Sequence, residues 1–399
     1  MLLGVVSSQL HLVPWILPTG LSVKNTCIKN PKFSQRGGSE FSKTLKFRVN
    51  RYFHTRGISK HANRSMVAKT ALMLSLFLVP LILINLGVAD TPWKLFLLYI
   101  TSGLGMAGIG MGIMHDAIHG SYSRNRTVNR YLGYTMNLVG ASSSVWRIQH
   151  NVLHHTYPNI DGADDDLNAP FFLRFSPNAK RYWLHRFQFL YAWFFYCLST
   201  ISWITTKDFV RLNRYKKMGF ISRGKEFRKE LLKLVLWKVA YYTFALVLPL
   251  IFVPLAPWIV VLAFIGMHLM TGVMISTVFQ VAHIMPSLEF PLPDENAVIS
   301  GDWALHQLAT TTNFAPKSRL FSWLIGGLNY QVEHHLFPNI CHVHYRQLSR
   351  IVAKTAREFD MPYHSHNTFG GAVWNHIKML YSLGKENGVT DNLPTRIPS

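Results

Sequence analysis

Apolar and polar positions divide this chain into long uncharged runs separated by basic, polar stretches. Residues 70–88 are 19 positions without a charge and residues 95–114 are a further 20, joined by Ala89-Asp90-Thr91-Pro92-Trp93. Each run is long enough to cross a hydrocarbon core of about 30 Å as a helix, and the short proline-containing link makes the two a hairpin. The pattern recurs at residues 239–282, where 44 positions carry no Asp, Glu, Lys or Arg and Pro254-Leu255-Ala256-Pro257-Trp258 interrupts them. The sequence therefore predicts four spans in two hairpins, at about residues 68–89, 94–114, 237–254 and 257–282.

A further aromatic run, residues 187–203, is long enough to span but is interleaved with Gln188, Tyr191, Cys197, Ser199, Thr200 and Ser202. A fifth span there would put the second hairpin out of register with the charge pattern, so an interfacial or re-entrant helix is expected. Residues 1–23 are uncharged but broken by Pro14 and Pro18, and residues 24–66 are basic without strong periodicity. Together residues 1–65 read as a leader of open role, residues 66–350 as one membrane domain and residues 351–399 as a cytosolic tail.

Composition supports the membrane reading. Of 399 residues, 49% are hydrophobic and only 15% charged, so the charge must lie outside the long runs. The net charge of +22 could suit nucleic acid. Beside spanning segments it is more simply a cytosolic face meeting anionic headgroups, and no nucleic-acid partner is expected. Of 41 Lys and Arg, only Lys94 lies at a hairpin tip, which places both tips outside and both termini in the cytosol. Residues 207–229 hold nine Lys or Arg against Asp208 and Glu226 and read as headgroup contact. Cys27, Cys197 and Cys341 are too few and too scattered for a disulfide framework or a thiolate metal site.

The 19 histidines carry the chemistry. His115 and His119 are four apart at the inner end of the second predicted span. On a helix their Cβ atoms are about 5–6 Å apart on one face. His150, His154 and His155 fall within Trp146–Asn159, where a regular helix sets His150 and His154 on one face and His155 about 100° away. His283 ends the fourth span, and His334-His335 follow in Asn329-Tyr330-Gln331-Val332-Glu333. These eight imidazoles meet at one membrane boundary. A single zinc takes four ligands and leaves the rest idle, whereas two irons with open positions for dioxygen need about this many. Asp116, Asp161 and Asp164–Asp166 are candidates to orient the rings, although for the Asp run a hydrated loop is an equal expectation. His306 is held as a reserve ligand, and His342 and His344 are assigned to the cytosolic cap. His268 lies mid-span, 15 residues before His283, which is about 22 Å along a helix and too far to join the cluster. A buried membrane histidine still calls for a partner.

Three ordered boxes, His115-Asp116-Ala117-Ile118-His119, His150-Asn151-Val152-Leu153-His154-His155 and Gln331-Val332-Glu333-His334-His335, resemble those of membrane fatty acid desaturases. Within that family they are similar to front-end (linoleoyl-CoA or Δ6-like) acyl desaturases, a likeness that runs through Asp302-Trp303 and Gly326–Gln331. The resemblance implies an all-α integral membrane protein whose cytosolic helical cap holds a di-iron site. It implies an oxygen-dependent enzyme that places a cis double bond in a fatty acyl-CoA or acyl lipid, using two iron ions, O2 and electrons. Gln331 stands where stearoyl-type enzymes have a histidine and is carried as a weak or outer ligand. The His-Pro-Gly-Gly motif of a fused cytochrome b5 domain is absent from the sequence. Electrons are therefore expected from a separate cytochrome b5 or ferredoxin. Trp146, Trp303 and Tyr330 are candidates for a substrate tunnel. The membrane is the bacterial inner membrane or the endoplasmic reticulum. Hydroxylation of alkyl or carotenoid substrates is the sister chemistry. A metal-ion transporter, which would place its ligands near the midplane, is the alternative of another class.

Overall fold

The computed structural model describes residues 31–35 and 38–385. The uncharged segment 1–23 lies outside them. The first helix, α1 (Glu40–Arg56), falls in the stretch expected to lack periodicity. Phe41, Leu45, Val49 and Phe53 recur every four residues and are all buried, so a single apolar stripe in a basic sequence suffices to seat it. Ser39 caps its start by accepting from the Ser42 N–H, and Gly57 closes it in the left-handed conformation.

Helices α2 (Arg64–Asn85) and α3 (Pro92–Ile118) form the first hairpin. The second is α6 (Lys225–Phe252) and α7 (Pro257–His283). Between them lie α4 (Arg147–His154) and α5 (Trp183–Lys217). Helix α3 packs against both α2 and α7, so the hairpins share one core, with Phe77, Tyr99, Met106, Phe264 and Met267 among its buried members. At the hairpin turns Trp93 and Trp258 are each 64% exposed, suited to the interfacial level of a bilayer. Outward-facing Val79, Leu97, Leu236, Val239 and Ile251 leave an apolar belt that only lipid would cover.

Among the described residues five helices are long and apolar enough to cross a membrane, where the pattern predicts four. The addition is α5, whose aromatic run continues through a wide turn at Trp203–Lys207 into the basic segment Asp208–Lys217 and so gains length. It packs closely on α7: a Cβ at Gly272 would lie 2.2 Å from the Cys197 carbonyl oxygen, so only glycine permits the approach. Helix α6 starts at Lys225, well before the expected residue 237, because its charged first turns continue the same helix.

The cap is built from α1 and the C-terminal third. Helices α8 (Trp303–Thr310), α9 (Gln331–Leu336) and α10 (Tyr345–Glu358) bury Leu308, Val332, Leu336, Tyr345 and Leu348 against α1. The expected tail is structured as far as Lys385. After α10, strand β4 (His364–His366) pairs in parallel with β3 (Thr312–Phe314), and α11 (Phe369–Lys385) packs on α5 and α7. Near the N-terminus β1 (Lys32–Phe33) pairs with β2 (Val298–Ile299). The all-α expectation therefore holds apart from two short parallel ladders.

Candidate metal centre

All eight histidines converge where α3 and α7 end beneath the cap. One nitrogen each from His115, His119, His150 and His334 lies within 4.8 Å of the others, and a second group comprises His154, His283 and His335. His155 Nε2 is 3.2 Å from His150 Nε2 and 2.9 Å from His334 Nε2. A metal–nitrogen bond of about 2.1 Å puts neighbouring ligand nitrogens about 3 Å apart, so these spacings suit imidazoles sharing one ion. His155 also approaches His335, whose ring stacks on it at 4.3 Å, and so stands between the two groups.

The division within α4 differs from the regular-helix expectation. His150 belongs to the first group and His154 to the second, while His150 and His155 converge. The cause is backbone geometry: Arg147–His154 winds as a wide π-helix, in which the His155 N–H reaches the carbonyl of His150 five residues back. Residues five apart then come into register, while the His150 and His154 rings still stack at 5.2 Å and both reach Asp166. A second wide turn, Ile109–Ile113, precedes His115.

Burial leaves many ring nitrogens without a protein partner. His115 Nδ1, His119 Nε2, His154 Nε2, His155 Nδ1, His335 Nε2 and both nitrogens of His283 are fully enclosed and unbonded. Several such atoms in one cavity would cost roughly 1–3 kcal/mol each, unless a cation accepts their lone pairs. Burial, reinforced by neighbouring imidazoles, holds His119, His150, His155, His334 and His335 well below the usual histidine pKa, which keeps them neutral. For His154 burial pulls the same way, but the Asp164 carboxylate outweighs it and raises the pKa.

The opposite ring edges are held from behind. Both Asp164 oxygens lie 3.1 Å from His154 Nδ1, Gln307 Oε1 is 2.8 Å from His335 Nδ1 and the Tyr345 hydroxyl is 3.3 Å from His334 Nδ1. Asp166 Oδ2 is 3.6 Å from His150 Nδ1. The Asp run is thus buried structure rather than a hydrated loop. Asp165, between the two, points away and ties Arg211, Arg214 and Tyr215 of α5 to the loop. Asp161 accepts from Ser176. Asp116 stands 4.0 Å from His115 Nδ1, and its stronger bonds go to His342 Nδ1 at 2.8 Å and Cys341 Sγ at 2.9 Å. Lys69 Nζ stands 3.3 Å from His342 Nε2 and completes that buried cluster.

Three further candidates are distributed differently. Trp146 stacks on His150 at 4.3 Å and meets His115 edge-on. The Trp303 indole N–H donates to the His155 carbonyl at 3.0 Å. Tyr330 lies in the cap core and donates to the Pro316 carbonyl, so packing accounts for it. Gln331 opens α9, one turn before His334, and is buried. His306 is buried beside Phe33, outside both histidine groups, with burial pushing its pKa down to about 4. His268 bonds Tyr241 at 2.7 Å through Nε2 and Thr200 at 3.3 Å through Nδ1, which satisfies both nitrogens inside the bundle.

Sequence reasoning missed Gln307, Tyr345, Asn159 and Lys69. Asn159 donates to the carbonyls of His283 and Glu289 and bonds Asp164 through its backbone N–H, joining two ligand segments. Its positive φ of 61° is a signal that Asn in Pro158-Asn159 could have given. Gln307 lies 28 residues before His335, outside every histidine box, and nothing in its spacing marks it. The third box is set against α3 by Gly326, where a Cβ would lie 2.1 Å from the Met111 carbonyl oxygen.

The fatty acid desaturase family model matches residues 91–367. The chain is 34% identical over 356 residues to an sn-1 linoleoyl-lipid 6-desaturase of Synechocystis sp., covering 89% of this chain and 98% of that protein. It is 36% identical over 347 residues to the enzyme of the same name from Arthrospira platensis, covering 86% and 92%. An acyl-lipid (8-3)-desaturase of Physcomitrium patens is 33% identical over 355 residues, covering 88% of this chain and 73% of its own.

Proposed function

Taking as premise that the chain belongs to the fatty acid desaturase family, we propose that it is a front-end desaturase that inserts a cis double bond into a polyunsaturated chain carried on a membrane lipid. The acyl desaturase activity follows from the family. The lipid carrier and the carboxyl-side position rest on the names of the two cyanobacterial relatives. The observation that carries the chemistry is the cluster of eight imidazoles, seven buried and His119 partly so, that form two groups with His155 between them.

The donor set fits a pair of irons. His115, His119, His150, His155 and His334 would hold one and His154, His283 and His335 the other, with Gln331 in reserve. Neutral imidazoles and the absence of thiolates suit iron, which here supplies activation of O2 and removal of two hydrogens from adjacent methylenes. The protein does the rest. Asp164, Gln307 and Tyr345 fix which nitrogen of each ring faces inward, since a proton held on Nδ1 leaves Nε2 free to ligate. Trp146 covers the first group with an apolar face and excludes water from it.

Four membrane crossings remain the proposed topology, with the histidines on the cytosolic side. Both ends of α5 support this. Near its start Gln188 bonds the Arg174 and Leu380 carbonyls, and near its end Arg211 and Tyr215 bond Asp165, next to the residue that orients His154. A helix tied at both ends to the histidine side, with Thr200 between them reaching His268 inside the bundle, is re-entrant: it dips in and returns instead of crossing. The test is the fatty acid profile of cells expressing the chain and supplied with linoleate. A new polyenoic acid with its added double bond on the carboxyl side is expected, and an unchanged profile with iron loaded and a donor present would refute the reading.

A further inference from the structure

Desaturation consumes two electrons that the substrate does not supply: R–CH2–CH2–R′ + O2 + 2 e⁻ + 2 H⁺ gives R–CH=CH–R′ + 2 H2O. Seven of the eight histidines are buried and His119 is partly so, so these electrons enter through protein atoms. Only one bonded aromatic contact among the described residues leads from a surface groove to the backbone of these histidines. It is the Trp303 indole, whose N–H donates to the carbonyl of His155.

Trp303 is only partly buried and faces a groove of about 360 Å³ lined by Phe33, Lys32, Lys46, Thr156 and Tyr157. Thr156 and Tyr157 directly follow His155, so the groove floor is the outer side of the second histidine box. The rim is cationic. Lys32 and Lys46 are exposed, and α1 adds exposed Lys43, Arg51 and Arg56, against exposed Glu40 on α1 and Asp294 and Glu295 in the turn beside Lys32. The single carboxylate lining the groove, Asp302, is buried and bonded by Ser39, Ser42 and the Leu305 N–H, where it caps α8. A positive, half-aromatic depression over a ligand backbone matches an acidic partner whose redox group must approach closely.

We propose that this groove is the docking site of an acidic one-electron carrier protein and that Trp303 is the relay residue through which each electron passes to the His155 side of the metal pair. The inference rests on the desaturase reading above. In each encounter the carrier is oxidised by one electron and the metal pair reduced by one, and two encounters complete a turnover.

The full chain in nanodiscs, loaded with iron, tests this with reduced soluble cytochrome b5 as the acidic probe. Lys32→Glu with Lys46→Glu should weaken binding of the probe roughly tenfold at low salt, with the difference fading at high salt. Reduction by dithionite should be unchanged. Trp303→Leu should leave probe affinity as it was, yet slow haem oxidation at saturating probe at least tenfold, again with dithionite reduction and iron content intact. Trp303→Phe, which keeps the ring and loses the N–H, should fall between. Unaltered affinity in the charge variants overturns the docking site. Equal losses with cytochrome b5 and dithionite in both Trp303 variants, or lost iron, mark Trp303 as structural and overturn the relay. A wild-type protein that accepts electrons but forms no double bond would instead refute the desaturase reading, leaving the docking result to stand separately.

Discussion

Asp164→Asn should strip iron from the centre while leaving the fold standing. Asp164 is buried, holds His154 Nδ1 with both oxygens at 3.1 Å, and accepts backbone N–H bonds from Asn159 and Asp166 at 3.0 and 2.9 Å. Asparagine offers one oxygen where aspartate has two. Placed toward either side, its amide must face a backbone N–H, so one bond is lost and the negative charge behind His154 disappears. A bond to a charged acceptor contributes about 1.5–3 kcal/mol, and loss of a ligand-orienting partner lowers metal affinity roughly 10- to 100-fold, or about 1.4–2.7 kcal/mol. The assay is iron retained against a graded chelator, with thermal unfolding in parallel. Asp165→Asn is the contrast: it releases Arg211, Arg214 and Tyr215, so it should lower stability by about 3 kcal/mol while iron affinity in the folded fraction stays near wild type. If Asp164→Asn held iron as wild type does, or if both variants lost iron equally, the orienting role of Asp164 would be refuted.

Other outcomes follow from the same geometry. His154→Ala should abolish desaturation. His268→Ala should retain it, with a stability loss of about 1–3 kcal/mol from the unpartnered Tyr241 hydroxyl, read by product analysis and thermal unfolding. Gly326→Ala should fail to assemble the third box, because φ is +68° and the new Cβ would meet Met111 at 2.1 Å; size-exclusion profile and iron content would report it, and near-normal values would contradict the packing. For pH, buried His376 has its pKa pushed down to about 4, so the folded state disfavours its proton. Stability is fully present above the unfolded value of about 6.5 and is lost as pH falls toward 4, by about 3 kcal/mol. His376→Gln should flatten that slope in denaturation series, and an unchanged slope would count against it.

What could be read from the sequence follows from which interactions are local. The two hairpins were legible because each is a continuous apolar run, and seven of the eight histidines because they crowd into short boxes, with His283 marked by its place at the end of a span. The wide turn that sends His150 and His154 to different groups was not, since an α- and a π-turn of the same residues have the same polarity pattern. Helix α1 was missed although Phe41, Leu45, Val49 and Phe53 announce it, because its basic residues mask a stripe one residue wide. Asp165 and Gln307 depend on partners 46 and 28 residues away, which spacing alone does not reveal. Helix α5 met the length and polarity of a span, and the attachment of its two ends, which favours the proposed re-entrant path over a crossing, depends on partners distant in sequence.

The central claim is that eight imidazoles divided between two groups hold a pair of irons, and metal analysis of the purified full chain tests it most directly. The account predicts about two irons per chain, falling toward zero in His154→Ala with His334→Ala. One tightly held zinc, or a single iron indifferent to either substitution, would contradict it.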